Sequence, residues 1–349
     1  MRVRPHASAA GHSPVAAQRP QLAFIYGARD GLWPGMGRAL FDEAGAIRDA
    51  LLRCEQIIAT QLGWSLRKAS EAERPFAEPV KEPLTTAVQI ALTAGWRERG
   101  IEPDVLVARC GGEFAAAYVQ GVLTLDDAME MACRVSHVIR QGRGAGRMLA
   151  LRCDMDEVER LQQSDGPRFY LVSDEVEDTT VIGCETAQVA NVTAFLAVHR
   201  IEASMLPSRI APHSPIVEDW KSEMLKPLSG IAPGPRRLPY YSAAAAGPVP
   251  DEAIGTAHFW RAMRGLAMVR RPLHNAVVNG CGIFVEISGN PTLGSLIRER
   301  GRAAGKKVVS LPTMRRHQSV RAVMDATAAA LARFGAVRAD LEPKRALRL

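Results

Sequence analysis

The chain has 349 residues, 47% apolar and 23% charged, enough to bury a sizeable core in one domain or in a domain with an inserted subdomain. No apolar run approaches the length of a membrane-spanning helix and the N-terminus lacks the apolar stretch of a secretory signal, so no membrane is expected and the cytosol is the expected compartment. Net charge is +7, but arginine is spread along the whole chain and aromatic residues make up only 5%, which argues against nucleic acid and leaves an acidic protein as the partner a basic surface suits.

Residues 1–20 are rich in Ala, Pro, His and Arg and read as a disordered leader. Residues 21–27 (QLAFIYG) form an apolar run ending in glycine, the pattern of a buried parallel strand. A Gly/Pro-rich loop follows at 28–37, and residues 38–62 carry apolar side chains at helical spacing. Residues 82–98 predict another helix, 104–108 another buried strand, and 113–120 and 126–140 two further helices. Strands alternating with helices imply an α/β sheet with covered faces. The texture changes after 142–146 (GRGAG), which reads as a flexible joint. Short strands at 147–153, 169–172 and 179–183, with helices at 154–163 and 186–198, predict a βαββαβ unit of about 70 residues. Longer helices are expected after Pro215, with late strands at 282–287 and 307–311 and a closing helix at 318–334.

The six cysteines are scattered, with no CxxC pair, so neither a metal cluster nor a disulfide scaffold is expected. Most should be small buried hydrophobes. Cys110 differs because Ala108-Arg109-Cys110-Gly111-Gly112-Glu113 directly follows one strand and opens a helix. That is the context of a nucleophile elbow, where a glycine two positions on lets the helix pack close. A helix N-terminus favours a thiolate, and Arg109 adds to this if it points inward. The alternative is a buried cysteine in an ordinary strand–helix turn. A cysteine nucleophile wants a base. Among the eight histidines, His213 lies between Pro212 and Pro215, which restrict its backbone; the alternative is a turn histidine at a domain joint. For an oxyanion hole, the Gly111 N–H is one candidate donor. The loop at Ala28 and Arg29, or the Arg29 side chain, is the other.

Together these segments resemble the acyltransferases of fatty-acid and polyketide synthesis, the malonyl-CoA:ACP transacylase family. FIYGARDGLWPGMG is similar to the family's FxFxGQGxQxxGMG, and ARCGGEFAAAYVQGVLTLDDA to GHSxGEYAAAxxAGxLSLEDA. GAGRMLAL, IAPHSP, HFW with MRGLAMV, and FVEISGNPTL resemble four later family segments in the same order. The resemblance runs from about residue 21 to 337. It implies a hydrolase-like parallel-sheet core, residues 21–144 and 217–349, with an inserted ferredoxin-like small subdomain at 145–216. It implies ping-pong chemistry in the cleft between them, with Cys110 as nucleophile, His213 as base and Gly111 in the oxyanion hole. A backbone carbonyl that orients the histidine falls near Ala262. No cofactor is implied; the substrates carry phosphopantetheine, as CoA or as an acyl carrier protein.

The departures from the family pattern bear on substrate. The usual serine is Cys110, the histidine before it is Arg109, and the oxyanion-loop glutamine is Arg29. The arginine that clamps a malonyl carboxylate is replaced by Val135, and Pro212 replaces a residue that helps set acyl choice. Arg134 is adjacent, but one helical step turns it by about 100°. The expectation is therefore a trans-acting enzyme that moves a non-malonyl acyl group between an acyl-CoA or acyl-carrier donor and an acyl carrier protein. A carrier-clearing hydrolase of the same fold and a catalytically inactive docking protein are the competing readings.

Overall fold

A computed structural model describes residues 19–142, 144–176, 178–229, 237–250 and 254–337. Its strands are β1 (Gln21–Tyr26), β2 (Val105–Ala108), β3 (Gly146–Leu151), β4 (Tyr170–Val176), β5 (Thr179–Glu185), β6 (Ala203–Met205), β7 (Tyr240–Ser242), β8 (Gly247–Pro248), β9 (Cys281–Glu286) and β10 (Val309–Pro312). The larger sheet has the order β10-β9-β1-β2-β7-β8, parallel throughout except for the β7–β8 pair. β1 lies inside it, and its alternation feeds two cores. Leu22, Phe24 and Tyr26 join one apolar cluster, and Ala23 and Ile25 join another on the opposite face. That double burial explains why the strand reads as an unbroken apolar run.

The second sheet, β4-β5-β3-β6, is antiparallel. With helices Met155–Gln162 and Val189–Val198 it makes the βαββαβ unit in ferredoxin-like strand order. Leu149, Leu151, Ile182, Val158 and Leu196 meet in a core of its own.

Two long helices, Glu78–Glu98 and Leu125–Gln141, pack against each other beside the larger sheet. The first starts at Glu78 rather than at residue 82. Pro83 lies inside it and has no N–H to offer the Pro79 carbonyl one turn back. The Ser136 hydroxyl, on the facing helix, donates to that carbonyl instead. The packing partner thus repairs the helix that its own sequence interrupts, and it fixes the relative positions of Glu82 and Val135.

Several expectations change. The helix expected over 38–62 is two, Met36–Phe41 and Ala46–Leu62, separated at Gly45, whose φ of 75° only glycine adopts easily. Helices after Pro215 are short until Val320–Arg333; Lys221–Leu225 has five residues. β6, β7 and β8 span three residues or fewer, too few to show a period. Residues 1–18 of the expected leader and residue 143 of the expected joint lie outside the described residues. Arg19 is held: it donates to Asp104 at 2.9 Å and to the Ala336 carbonyl at 3.0 Å.

Candidate active site

Cys110 sits in a turn between β2 and the helix Gly112–Gln120, with a φ of 51°. A left-handed backbone at a non-glycine residue costs of order 1–3 kcal/mol and persists only where its surroundings impose it. Here they do. Arg109 N–H donates to the Tyr26 carbonyl of β1 at 3.1 Å, and Gly112 and Glu113 N–H donate back to Arg109 and Cys110 carbonyls at 3.0 Å each. Both glycines are required by space. A Cβ on Gly112 would lie 2.2 Å from the Tyr26 carbonyl oxygen, and one on Gly111 would lie 1.4 Å from Glu82 Oε1.

The turn is also anchored from below. Glu113 is fully buried and accepts hydrogen bonds from the Tyr240 hydroxyl, from Ser242 Oγ at 2.6 Å and from His258 Nε2 at 2.9 Å. One carboxylate therefore ties the elbow helix to β7 and to the helix Thr256–Arg264.

His213 also has a left-handed backbone, with a φ of 60°. Its N–H donates to the Met263 carbonyl at 2.9 Å, and its Nδ1 lies 2.8 Å from the Gly265 carbonyl. A carbonyl can only accept, so Nδ1 carries the hydrogen. In the neutral ring Nε2 then presents its lone pair. That nitrogen is 3.4 Å from Cys110 Sγ. The orienting carbonyl is thus Gly265's and not Ala262's. Ala262 lies within the helix Thr256–Arg264, whereas Gly265 caps its end and turns its carbonyl out toward the ring.

The charges around the sulfur differ from the sequence expectation. Cys110 keeps some accessible surface, but burial pushes its thiol up to about 12, and the Glu82 carboxylate adds to the rise. Arg29, the Gly111 N–H and Arg109 oppose this and do not win. Desolvation thus outweighs the helix N-terminus, which by itself favours a thiolate. Arg109, expected at the substrate, extends to the carboxylate of Asp30 and does not line the cavity beside Cys110. Arg29, in a single turn Arg29–Gly31 entered from Ala28, donates to Glu78 at 3.0 Å, and its Nε lies 3.8 Å from Glu82 Oε2.

Beside Cys110 is a space of about 400 Å3, part of it open to solvent. Arg29 and Glu82 flank the sulfur, and Val135, Pro212, Val138, Ile139 and Met263 supply apolar wall. Val135 is fully buried there, whereas Arg134 turns to Glu130, 4.0 Å away. Among the described residues no group of three or more His, Cys, Asp and Glu side chains is placed to hold a metal ion.

The sequence model of a family described as an acyl transferase domain matches residues 23–338. The chain belongs to the acyl transferase domain family. It is 29% identical over 334 residues to the spectinabilin polyketide synthase system protein NorA of Streptomyces orinoci, covering 94% of this chain and 18% of that protein. It is 29% identical over 288 residues to the erythronolide synthase EryA3 of Saccharopolyspora erythraea, covering 82% of this chain and 9% of that protein. This acyltransferase domain thus spans less than a fifth of the length of these curated relatives. Among solved structures, the acyltransferase domain from module 8 of the salinomycin polyketide synthase superposes with a TM-score of 0.80 at 27% identity, covering 92% of this chain and 76% of that one. A loading acyltransferase from the avermectin modular polyketide synthase gives 0.76 at 26% identity, covering 89% and 99%.

Within this acyltransferase domain, sequence reading missed Glu82, Glu113 and Gly265. Glu113 could have been found, since a charged residue opening an otherwise apolar helix (EFAAAYV) is unusual for a core element. Glu82 carried no such signal, because a glutamate near a helix start is commonplace. Among the described residues no helix is long and apolar enough to cross a membrane.

Proposed function

We propose that this acyltransferase domain holds an acyl group as a thioester on Cys110, with His213 as general base, and passes it to the phosphopantetheine thiol of an acyl carrier protein. The 3.4 Å approach of His213 Nε2 to Cys110 Sγ, with Nδ1 committed to Gly265, is the observation that carries this reading. As the sulfur attacks the donor's thioester carbonyl, its proton passes to Nε2 and a tetrahedral oxyanion forms. The carbon–sulfur bond to the donor then breaks, and the imidazolium returns the proton to the departing thiolate. The second half repeats these steps with the carrier thiol as nucleophile and Cys110 as leaving group. Bond types are conserved, since one thioester is exchanged for another, so transfer runs in both directions. The Gly111 N–H is the oxyanion donor in this scheme. Arg29, whose Nη1 donates to Glu78, contributes positive charge in this scheme.

The acyl group in this reading is not malonyl. A second carboxylate would find Val135 where the resemblance leads one to expect an arginine, and would meet the Glu82 carboxyl nearby. The donor is an acyl-CoA or a second carrier, and the net charge of +7 suits an acidic carrier surface. No bound cofactor enters the scheme. Residues 145–216 are read as the small subdomain inserted between 21–144 and 217–349, with the cleft between them as the site.

Intact-protein mass spectrometry with a panel of acyl-CoAs and acyl carriers tests this. The expected result is a thioester adduct, lost in Cys110→Ala, discharged onto added carrier, and formed faster from acetyl than from malonyl donors. An adduct that survives in Cys110→Ala, or a preference for malonyl, contradicts the reading. Free acid released without carrier supports the hydrolase instead, and no adduct with any donor supports the inactive docking protein.

A further inference from the structure

The proton relay between Cys110 and His213 does not use Glu82, yet Glu82 lines the same cavity. The residue is 2% exposed. Its Oε2 is 3.8 Å from Arg29 Nε, too far for a hydrogen bond, and its Oε1 has no hydrogen-bond partner among the described residues. The guanidinium that could have supplied a donor is directed to Glu78 instead. Oε1 lies against Gly111, the residue after Cys110, in space that any side chain at 111 would fill. The cavity beyond it is apolar along Val135, Val138, Ile210, Pro212 and Met263. A buried acceptor left without a donor is costly, and such groups are rare in folded proteins. A donor carried in by the ligand removes that cost.

We propose that Glu82 determines specificity by accepting a hydrogen bond from the acyl group itself, so that the preferred substrate is an acyl thioester bearing a hydroxyl or amine at the α or β carbon, with hydrocarbon beyond. The inference rests on Cys110 being the acylated residue. The position of the donor follows from geometry: Oε1 borders the elbow, where the thioester carbonyl must sit, so only the first carbons of the acyl chain pass it. The chemistry does not depend on Glu82's charge. A carboxylate accepts at both oxygens, and a neutral carboxylic acid still accepts at one. An ammonium gains Coulomb attraction to the carboxylate in addition, which a hydroxyl does not.

The test measures the acylation rate of the full chain by intact mass, using butyryl, 2-hydroxybutyryl, 3-hydroxybutyryl and 3-aminobutyryl thioesters of N-acetylcysteamine, which need no carrier. At least one of the three donor-bearing groups should acylate Cys110 at least about tenfold faster than butyryl, as sites built around a substrate hydrogen bond reject the analogue lacking it. In Glu82→Met that ratio should collapse to about one. In Glu82→Gln, which keeps an acceptor oxygen but no charge, preference for a hydroxyl should survive and preference for the amine should fall. Butyryl reacting as fast as every donor-bearing group in the wild type overturns the proposal, as does a preference that persists in Glu82→Met. If Glu82→Met fails to fold, the wild-type ratios and Glu82→Gln still decide. Absence of any adduct on Cys110 with all four thioesters instead overturns the reading of Cys110 on which the proposal rests.

Discussion

At the scale of single residues, the decisive quantity is where the Cys110 proton resides. Burial, with the Glu82 carboxylate second, pushes the thiol up to about 12, which favours the protonated sulfur at rest. In the proposed transfer the proton leaves as the sulfur attacks, and a base already in place takes it. His213 meets that need because its other nitrogen is fixed by Gly265. His213→Ala should therefore slow Cys110 acylation by about 10²–10⁴-fold, the usual contribution of a positioned base, as read from single-turnover mass spectrometry. A rate unchanged in that variant contradicts the base role. Cys110 was legible as a candidate because its strand–turn–glycine context is local in sequence. Its protonation state was not, because the burial that raises it, and Glu82 after that, come from packing and not from the turn's own residues.

At the scale of elements, the elbow shows how close packing and chemistry share the same residues. Gly112 begins its helix directly over the Tyr26 carbonyl of β1. Replacing glycine by alanine in an exposed helix usually stabilises it, since alanine is the better helix former. Here the sign reverses. The added methyl would come within 2.2 Å of a carbonyl oxygen that already accepts from Arg109 N–H at 3.1 Å and cannot step aside without disturbing the sheet. Gly112→Ala should lower stability by about 1–3 kcal/mol, the range for overpacking, measured by urea unfolding. An alanine variant as stable as the parent would show that the helix can lift off β1 freely. The same logic limits what periodicity reveals about boundaries. The 38–62 apolar pattern continues in phase across a break, because Gly45 turns the chain while both helices still face one core. The helix at Glu78 begins before its apolar face does, because Ser136 on a neighbouring helix satisfies a carbonyl that Pro83 cannot.

At the scale of the whole molecule, several desolvated thiols act together on stability. Cys110, Cys133 and Cys281 are each raised from 9.0 to about 12, in every case chiefly by burial. Below pH 9 both folded and unfolded chains keep these protons, and the thiols add no pH dependence. As pH rises above that value the unfolded chain loses them while the folded protein retains them, so stability falls progressively up to about pH 12. Unfolding by urea followed above and below pH 9 should show this alkaline loss, and Cys281→Ala should make it shallower. A stability that is flat through this range would mean that the thiols titrate normally in the folded state. By itself the sequence carried the α/β class and the βαββαβ unit, written in short-range period and the order of segments, and its glycine placement made Cys110 a candidate. Only the tertiary structure decided what surrounds the elbow. His213 reaches Cys110 across 103 positions of chain, and Gly265 reaches His213 across 52. Glu82 enters the cavity from a helix whose own residues give no sign of it. The protonation of the sulfur and the free acceptor beside it depend on which side chains packing brings within a few ångströms, and no local pattern encodes that distance.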